Sequence, residues 1–350
     1  CSFAQIPAYY SSIDFNQSGN TLKTALANLI TTTHTTQIQY TATSTDVWDA
    51  LQAGDKNPNN SAQVLLIYGY NDVDAEYKND RLDLVGNICS TSCPLGAWNR
   101  EHCYALSLGT PALVTSSPGP GTDAHHIRAA DVTFNADRGN RLYTDGEGDA
   151  GPVGILWYPG DEWKGDVARM MMYMYLRYGT QCLPTGVSQS GITTATNDSN
   201  MVQLFLEWNA EDPVSLYEDR RNTYLGNTSN TYAQGNRNPF IDNPYLATVI
   251  WGGPVAENRW PTVFLSSESF LAENAVSIYP NPTNTNEVEI FTKESITKLT
   301  LVNVNGQIIK DIENPIFNQN TYKLNNLPQG FYFLQISAEN GSLTKKIIVN

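Results

Sequence analysis

Apolar residues recur at helical spacing in Thr21–Ile30 (TLKTALANLI), which predicts a first helix along that stretch. Ser44-Thr-Asp46 supplies a capping signal ahead of Val47–Leu51 and predicts a second, short one. The continuous apolar run Val64-Leu-Leu-Ile-Tyr68 reads as a buried strand, so the chain opens as an α+β protein. Asp166–Tyr178 sets Val167, Met170, Met171, Met174 and Leu176 along a mostly apolar helix, read as core. Further helices are expected over Met201–Trp208 and from about Pro213, because proline suits a first helical turn. The period changes near Val276. Short alternating runs follow at Glu287–Phe291, Lys298–Val304, Phe331–Ile336 and Lys345–Val349, separated by Asn, Gly and Pro turns, and they predict a small β-sandwich.

Length and charge narrow the picture. A chain of 350 residues can hold two domains with cores of their own. The expected division is an N-terminal segment over 1–19, a main domain over 20–268 and the sandwich over 269–350. The longest apolar stretch, Met170–Leu176, is too short to cross a bilayer, so a soluble protein without a membrane span is expected. Cys1-Ser-Phe-Ala-Gln5 reads as the remnant of a cleaved export signal, or alternatively as a lipid-modified Cys1. The five cysteines cannot all pair internally, and both a Cys89–Cys93 disulfide and one involving Cys182 remain open. With 21 Lys and Arg against 35 Asp and Glu, the net charge of −14 excludes a protein that coats nucleic acid through a broad basic face. It leaves room for local positive charge at a single site.

Candidate chemistry is concentrated in Cys89–Trp157. Arg100-Glu101-His102, Asp123-Ala-His-His-Ile-Arg128 and Phe134-Asn-Ala-Asp-Arg-Gly-Asn140 bring a base, carboxylates, amides and guanidinium groups together. Phosphodiester cleavage draws on this set. A histidine can generate a nucleophile near neutral pH, Glu and Asn oxygens suit a hard cation, and guanidinium binds two phosphate oxygens at once. The Ser/Pro/Gly-rich stretch Thr115–Gly121 between them reads as a flexible loop. The adjacent His125 and His126 read as hydrogen-bonding core residues, since sequence neighbours rarely share one tetrahedral metal. Arg237, between Gly-Asn and Asn-Pro turn signals, reads as a loop anchor.

Six ordered motifs carry a resemblance. They are Asn99-Arg-Glu-His102, Asp123-Ala-His-His-Ile-Arg-Ala-Ala-Asp131, Val132-Thr-Phe-Asn-Ala-Asp-Arg-Gly-Asn140, Lys164-Gly-Asp-Val-Ala-Arg169, Trp208-Asn-Ala-Glu-Asp-Pro-Val-Ser215 and Gln234-Gly-Asn-Arg-Asn-Pro-Phe-Ile-Asp242. Through them the chain resembles the endonuclease I family of secreted bacterial nucleases, a branch of the ββα-metal (His-Me finger) superfamily. The resemblance implies a metal-dependent endonuclease of low sequence specificity acting on DNA, RNA or both. It implies His102 as general base, Glu101 and Asn135 as metal ligands, and one Mg²⁺ per site, with Ca²⁺ or Mn²⁺ as alternatives. Arg128 and Arg138 are the candidates for phosphate contact. One departure stands beside the base: the chain continues Cys103-Tyr-Ala-Leu-Ser107 where the family has a Pro-containing stretch. It motivates the competing expectation of a decayed nuclease scaffold that acts as a surface binding protein.

Beyond Val276, Tyr279-Pro-Asn-Pro282, Asn303-Val-Asn-Gly306, Leu327-Pro-Gln-Gly-Phe-Tyr332 and Lys345-Lys-Ile-Ile-Val349 resemble the C-terminal sorting domain of type IX secretion. That resemblance implies export to the cell surface or medium, with the secretion machinery as partner. A glycan-binding or adhesive sandwich is the alternative. The nuclease is expected to be a monomer.

Overall fold

The computed structural model describes residues 6–189, 197–264, 275–338 and 341–350. The expectations for Cys1 and Cys1-Ser-Phe-Ala-Gln5 fall outside the described residues. The chain divides into two compact units, Cys1–Val263 and Phe264–Asn350.

The first unit mixes helices with short strands. Helix α1, Gly19–Thr33, buries Leu22, Leu26 and Ile30, the stripe that its spacing demands. Helix α2, Val47–Gly54, starts at a capping box in which Asp46 accepts from Trp48 N and Asp49 N and Asp49 answers to Asp46 N. The apolar run near Val64 forms a shorter strand than its composition suggests. Only β1, Gln63–Leu65, pairs with β2, Leu82–Leu84. Leu66 and Ile67 instead donate to Arg81 O and Ala129 O, and the run ends at Tyr68, whose φ is 74°. Strand β3, Trp98–His102, pairs antiparallel with β4, Ile127–Asp131, and β4 runs directly into helix α3, Val132–Arg138. Asp131 makes the turn from strand to helix by accepting from Thr133 N at 2.7 Å and Phe134 N at 3.0 Å.

A hairpin follows, β5 Gly151–Val153 with β6 Leu156–Tyr158. Helix α4, Lys164–Tyr178, is buried along nearly its whole length and stops at Gly179, whose φ of 57° suits a residue without Cβ. Helices α5 Gln203–Glu211, α6 Leu216–Gly226, α7 Pro239–Asp242 and α8 Tyr245–Trp251 complete the unit. Helix α6 begins three residues after Pro213 because Ser215 and Glu218 form a capping box there, and the cap outranks the proline. The segment before α1 belongs to this unit: Tyr10 is buried, donates to Asp242 Oδ2 at 2.5 Å, and packs on Trp260. One core cluster, built on Val47, Leu51, Val64, Trp98, Ile127 and Ala129, joins α2 to the β3–β4 pair.

The second unit is antiparallel β. Strands β7 Val276–Tyr279, β8 Val288–Thr292, β9 Ile296–Asn303, β10 Ile308–Glu313, β11 Thr321–Leu324, β12 Gly330–Ala338 and β13 Gly341–Val349 form two sheets. Their orders are β10-β9-β12-β13 and β11-β8-β7. Alternation in β8 and β12 turns Val288, Ile290, Leu334 and Ile336 into a core shared by both sheets. Three of these strands, β7, β10 and β11, lie outside the four runs expected from alternation alone. Strand β10 is largely exposed and so lacks the apolar period that would mark it.

Among the described cysteines, proximity settles the pairing. Cys89 and Cys93 form a disulfide with Cα atoms 5.5 Å apart, while Cys103 and Cys182 are free and buried. No described helix is long and apolar enough to cross a membrane.

Candidate active site

Pleating distributes the motif of β3 over two faces. Successive side chains alternate, so Asn99 and Glu101 point toward α3 while Arg100 and His102 point toward Tyr40. On α3, Asn135 and Arg138 stand three residues apart and therefore share the face that meets β3. At the end of the strand the two faces converge on one cavity of about 250 Å³, lined among others by Arg100, Glu101, His102, Ser107, Asn135 and Asn140.

His102 is the most sharply defined member. Its Nε2 lies 2.9 Å from the Gly121 carbonyl oxygen, which can only accept, so Nε2 carries the proton and Nδ1 the lone pair. Burial, followed by the neighbouring His126, pulls its pKa down to about 3, and the ring is neutral across the physiological range. The Thr115–Gly121 stretch, expected to be flexible, is the element that orients this ring. Gly121 sits so close to Val114 that a Cβ would lie 2.2 Å from the Val114 carbonyl oxygen. Pro120 O accepts from His126 Nε2 at 2.7 Å, and Thr122 ties back to Gly119.

Glu101 is 2% exposed, and burial raises its pKa against the opposing pull of Arg138 and a hydrogen bond from Tyr68. Its Oε1 accepts from Tyr68 Oη at 2.9 Å and faces Arg138 Nη1 at 3.4 Å; Oε2 has no hydrogen bond among the described residues. The Asn135 amide donates to Asn99 Oδ1 at 2.7 Å and to Arg100 O at 3.3 Å, which leaves Oδ1 as its uncommitted atom. Two oxygen donors, one anionic and one neutral, thus border the same small cavity. They suit a hard divalent cation that keeps several waters. Among the described residues no cluster of three or more His, Cys, Asp or Glu forms an all-protein metal cage.

The two arginines expected at phosphate are placed elsewhere. Arg128 is 3% exposed and lies between Asp55 and Asp166, each at 3.1 Å. Arg138 is fully buried and donates to His102 O at 3.0 Å and Cys103 O at 2.8 Å. Two charges already neutralised or bonded inside the core are not presented to a substrate, so Arg138 clamps the backbone at His102 and Cys103 and Arg128 ties strand β4 to α4. The guanidinium that borders the cavity is Arg100, stacked 3.4 Å from the Tyr40 ring and 4.1 Å from the Trp48 ring. The sequence alone assigned no individual role to Arg100, Tyr68, Tyr40 or Gly121. The first was legible as part of Arg100-Glu101-His102; the others act through distant contacts with no local signature.

Cys103, the departure beside the base, is fully buried, does not line the cavity, and has its thiol pKa pushed up by burial. Its backbone oxygen accepts from Arg138 and from Tyr143 Oη, so the residue supports the site from behind. His125 and His126 are likewise core residues, held by Asn236 O and Pro120 O. Arg237 pairs with both oxygens of Asp242 and anchors its loop.

The Endonuclease I family model matches residues 18–245, and that of a secretion system C-terminal sorting domain matches 277–350. Catalytic unit and address domain together define an exported nuclease. The chain belongs to the endonuclease I family. It is 34% identical over 260 residues to the extracellular ribonuclease of Bacillus subtilis, covering 71% of this chain and 80% of that protein. The extracellular ribonuclease of Bacillus amyloliquefaciens is 35% identical over 259 residues, 71% of this chain and 79% of its own. A solved structure of PorZ, a surface component of the type-IX secretion system of Porphyromonas gingivalis, aligns over 24% of this chain and 12% of its own. At 17% identity and a TM-score of 0.19, that overlap carries no weight for the fold.

Proposed function

We propose that this nuclease hydrolyses internal phosphodiester bonds by attack of water, on a ββα-metal (His-Me finger) core formed by β3, β4 and α3. His102 Nδ1 takes the proton from the attacking water; the Gly121 carbonyl holds the ring so that this lone pair is the one offered. That single hydrogen bond carries the reading, because it selects the tautomer a general base needs. Glu101 and Asn135 would hold one divalent cation, Mg²⁺ foremost, which when bound supplies positive charge to a phosphate oxygen. Arg138 fixes the His102 and Cys103 carbonyls and offsets part of the Glu101 charge, acting through position alone.

Attack by water needs no 2′-hydroxyl, so both RNA and DNA are substrates in this reading. The relatives' name, extracellular ribonuclease, supports the RNA arm. Recognition is of phosphate and stacking rather than of sequence, and the enzyme works as a monomer. The boundary expected at 268/269 lies outside the described residues; the second domain serves as the address for the type IX machinery. The binding-protein alternative loses its main support, because the unusual Cys103 lies behind the cavity rather than in it.

Supercoiled plasmid and total RNA incubated with the protein test this directly. Cleavage of both in Mg²⁺, stopped by EDTA, is the expected result. Undiminished cleavage in EDTA would remove the metal assignment, and RNA-only cleavage with cyclic-phosphate ends would replace water by the 2′-hydroxyl as nucleophile.

A further inference from the structure

A second cavity, of about 220 Å³, adjoins the catalytic one and shares Arg100 with it. Its walls are Tyr40, Trp48, Cys89, Ser90, Asn99 and Arg100. The Arg100 guanidinium lies over both rings, 3.4 Å from Tyr40 and 4.1 Å from Trp48, and donates to Tyr40 O and Thr41 Oγ1. Trp48 is braced edge-on by Trp98 with centroids 5.5 Å apart, and Cys89, tied to Cys93 by the disulfide, lines the same cavity. Asn99 gives its Oδ1 to Asn135 and keeps its amide N–H groups without a partner among the described residues. The volume, the guanidinium plane of Arg100 backed by two rings, and the amide donor match one nucleobase, which can stack on a guanidinium as on a ring.

The position decides which base. Tyr40 packs on the imidazole of His102 at 5.4 Å, and Asn99 is hydrogen-bonded to Asn135, so this cavity lies within one nucleotide of the base and amide that border the scissile phosphate. We propose that the Tyr40–Trp48–Arg100 cavity is a base-binding subsite that takes the unstacked nucleobase next to the bond being cut. A base enters it only when it is out of a helical stack, so the subsite favours single-stranded over duplex substrate. Stacking of this type tolerates any base, which agrees with low sequence specificity. The inference rests on reading the neighbouring cavity as the phosphodiester site.

Two oligonucleotide series test it, one intact and one with a single abasic residue moved stepwise along the strand. Binding is read by fluorescence anisotropy in EDTA, and cleavage in Mg²⁺. The intact strand is expected to bind the wild-type protein about 5- to 150-fold more tightly than the strand abasic at the subsite. In Mg²⁺ the cut is expected to move away from the abasic position. Trp48→Ala should remove the preference, and Trp48→Phe, which keeps a ring, should restore most of it. Equal binding of intact and abasic strands by the folded wild-type protein would overturn the subsite, whether or not the protein cleaves. Base-dependent binding with no cleavage would leave the subsite standing and defeat the catalytic reading instead.

Discussion

At the scale of single residues, the site was legible where chemistry and motif coincide and illegible where a contact does the work. Glu101, His102 and Asn135 border one cavity, and all three stood out by residue type. Arg128 and Arg138 stood out for the same reason and are buried, because sequence marks a guanidinium without marking its partners. Gly121 was hidden: a backbone carbonyl has no side chain to announce it. The histidines behind the site make a prediction about pH. His126 has an ordinary value of 6.5 that burial, above all, lowers to about 4 in the folded protein. Between those values the unfolded chain holds the proton and the folded one does not. The stability contributed by the neutral ring is therefore complete above pH 6.5 and is lost as pH falls toward 4. His126→Gln keeps a donor for Pro120 O without a titrating ring. Urea unfolding across this range should give a flatter pH profile for the variant, by up to about 1.4 kcal/mol per pH unit. Parallel profiles would mean that His126 is not held neutral.

At the scale of elements, helices α1 and α2 follow from apolar spacing and a capping box, and α4 from a run too apolar to face water. The strand–strand–helix unit was legible only through motif resemblance. Strands β3 and β4 are five residues each, and β4 is buried throughout, so neither offers a period to read. Their junction with α3 rests on Asp131, which closes the strand and caps the helix that carries Asn135. Asp131→Ala should cost about 1 kcal/mol of stability, seen as a lower urea midpoint. Because Asn135 sits on the helix so loosened, the Mg²⁺ concentration for half-maximal cleavage should rise several-fold while the rate at saturating Mg²⁺ changes less. Loss of stability with an unchanged Mg²⁺ requirement would uncouple the cap from the proposed cation site.

At the scale of the whole molecule, an acidic chain handles an acidic polymer, and the location of its cations explains how. Of 21 Lys and Arg, four arginines, Arg128, Arg138, Arg169 and Arg221, are buried against carboxylates or carbonyls. The others are outnumbered by 35 Asp and Glu, and among the described residues Arg100 is the one Lys or Arg that lines the candidate cavity, so binding releases few counterions. The dependence of log(kcat/KM) on log salt should be shallower than about −3, and a slope of about −6 would instead indicate binding through a broad basic face. Such weak, local binding suits turnover of a polymer in the medium, where the sorting domain directs the enzyme. The proposed function turns on one nitrogen, the Nδ1 of His102, whose lone pair the hydrogen bond at Nε2 leaves free. The most direct test is the cleavage rate of His102→Ala in saturating Mg²⁺, with its circular dichroism and urea midpoint measured alongside, and with imidazole added. A folded variant slowed by at least about 100-fold and partly rescued by imidazole is the predicted result. A folded variant that cleaves at the wild-type rate would contradict the account.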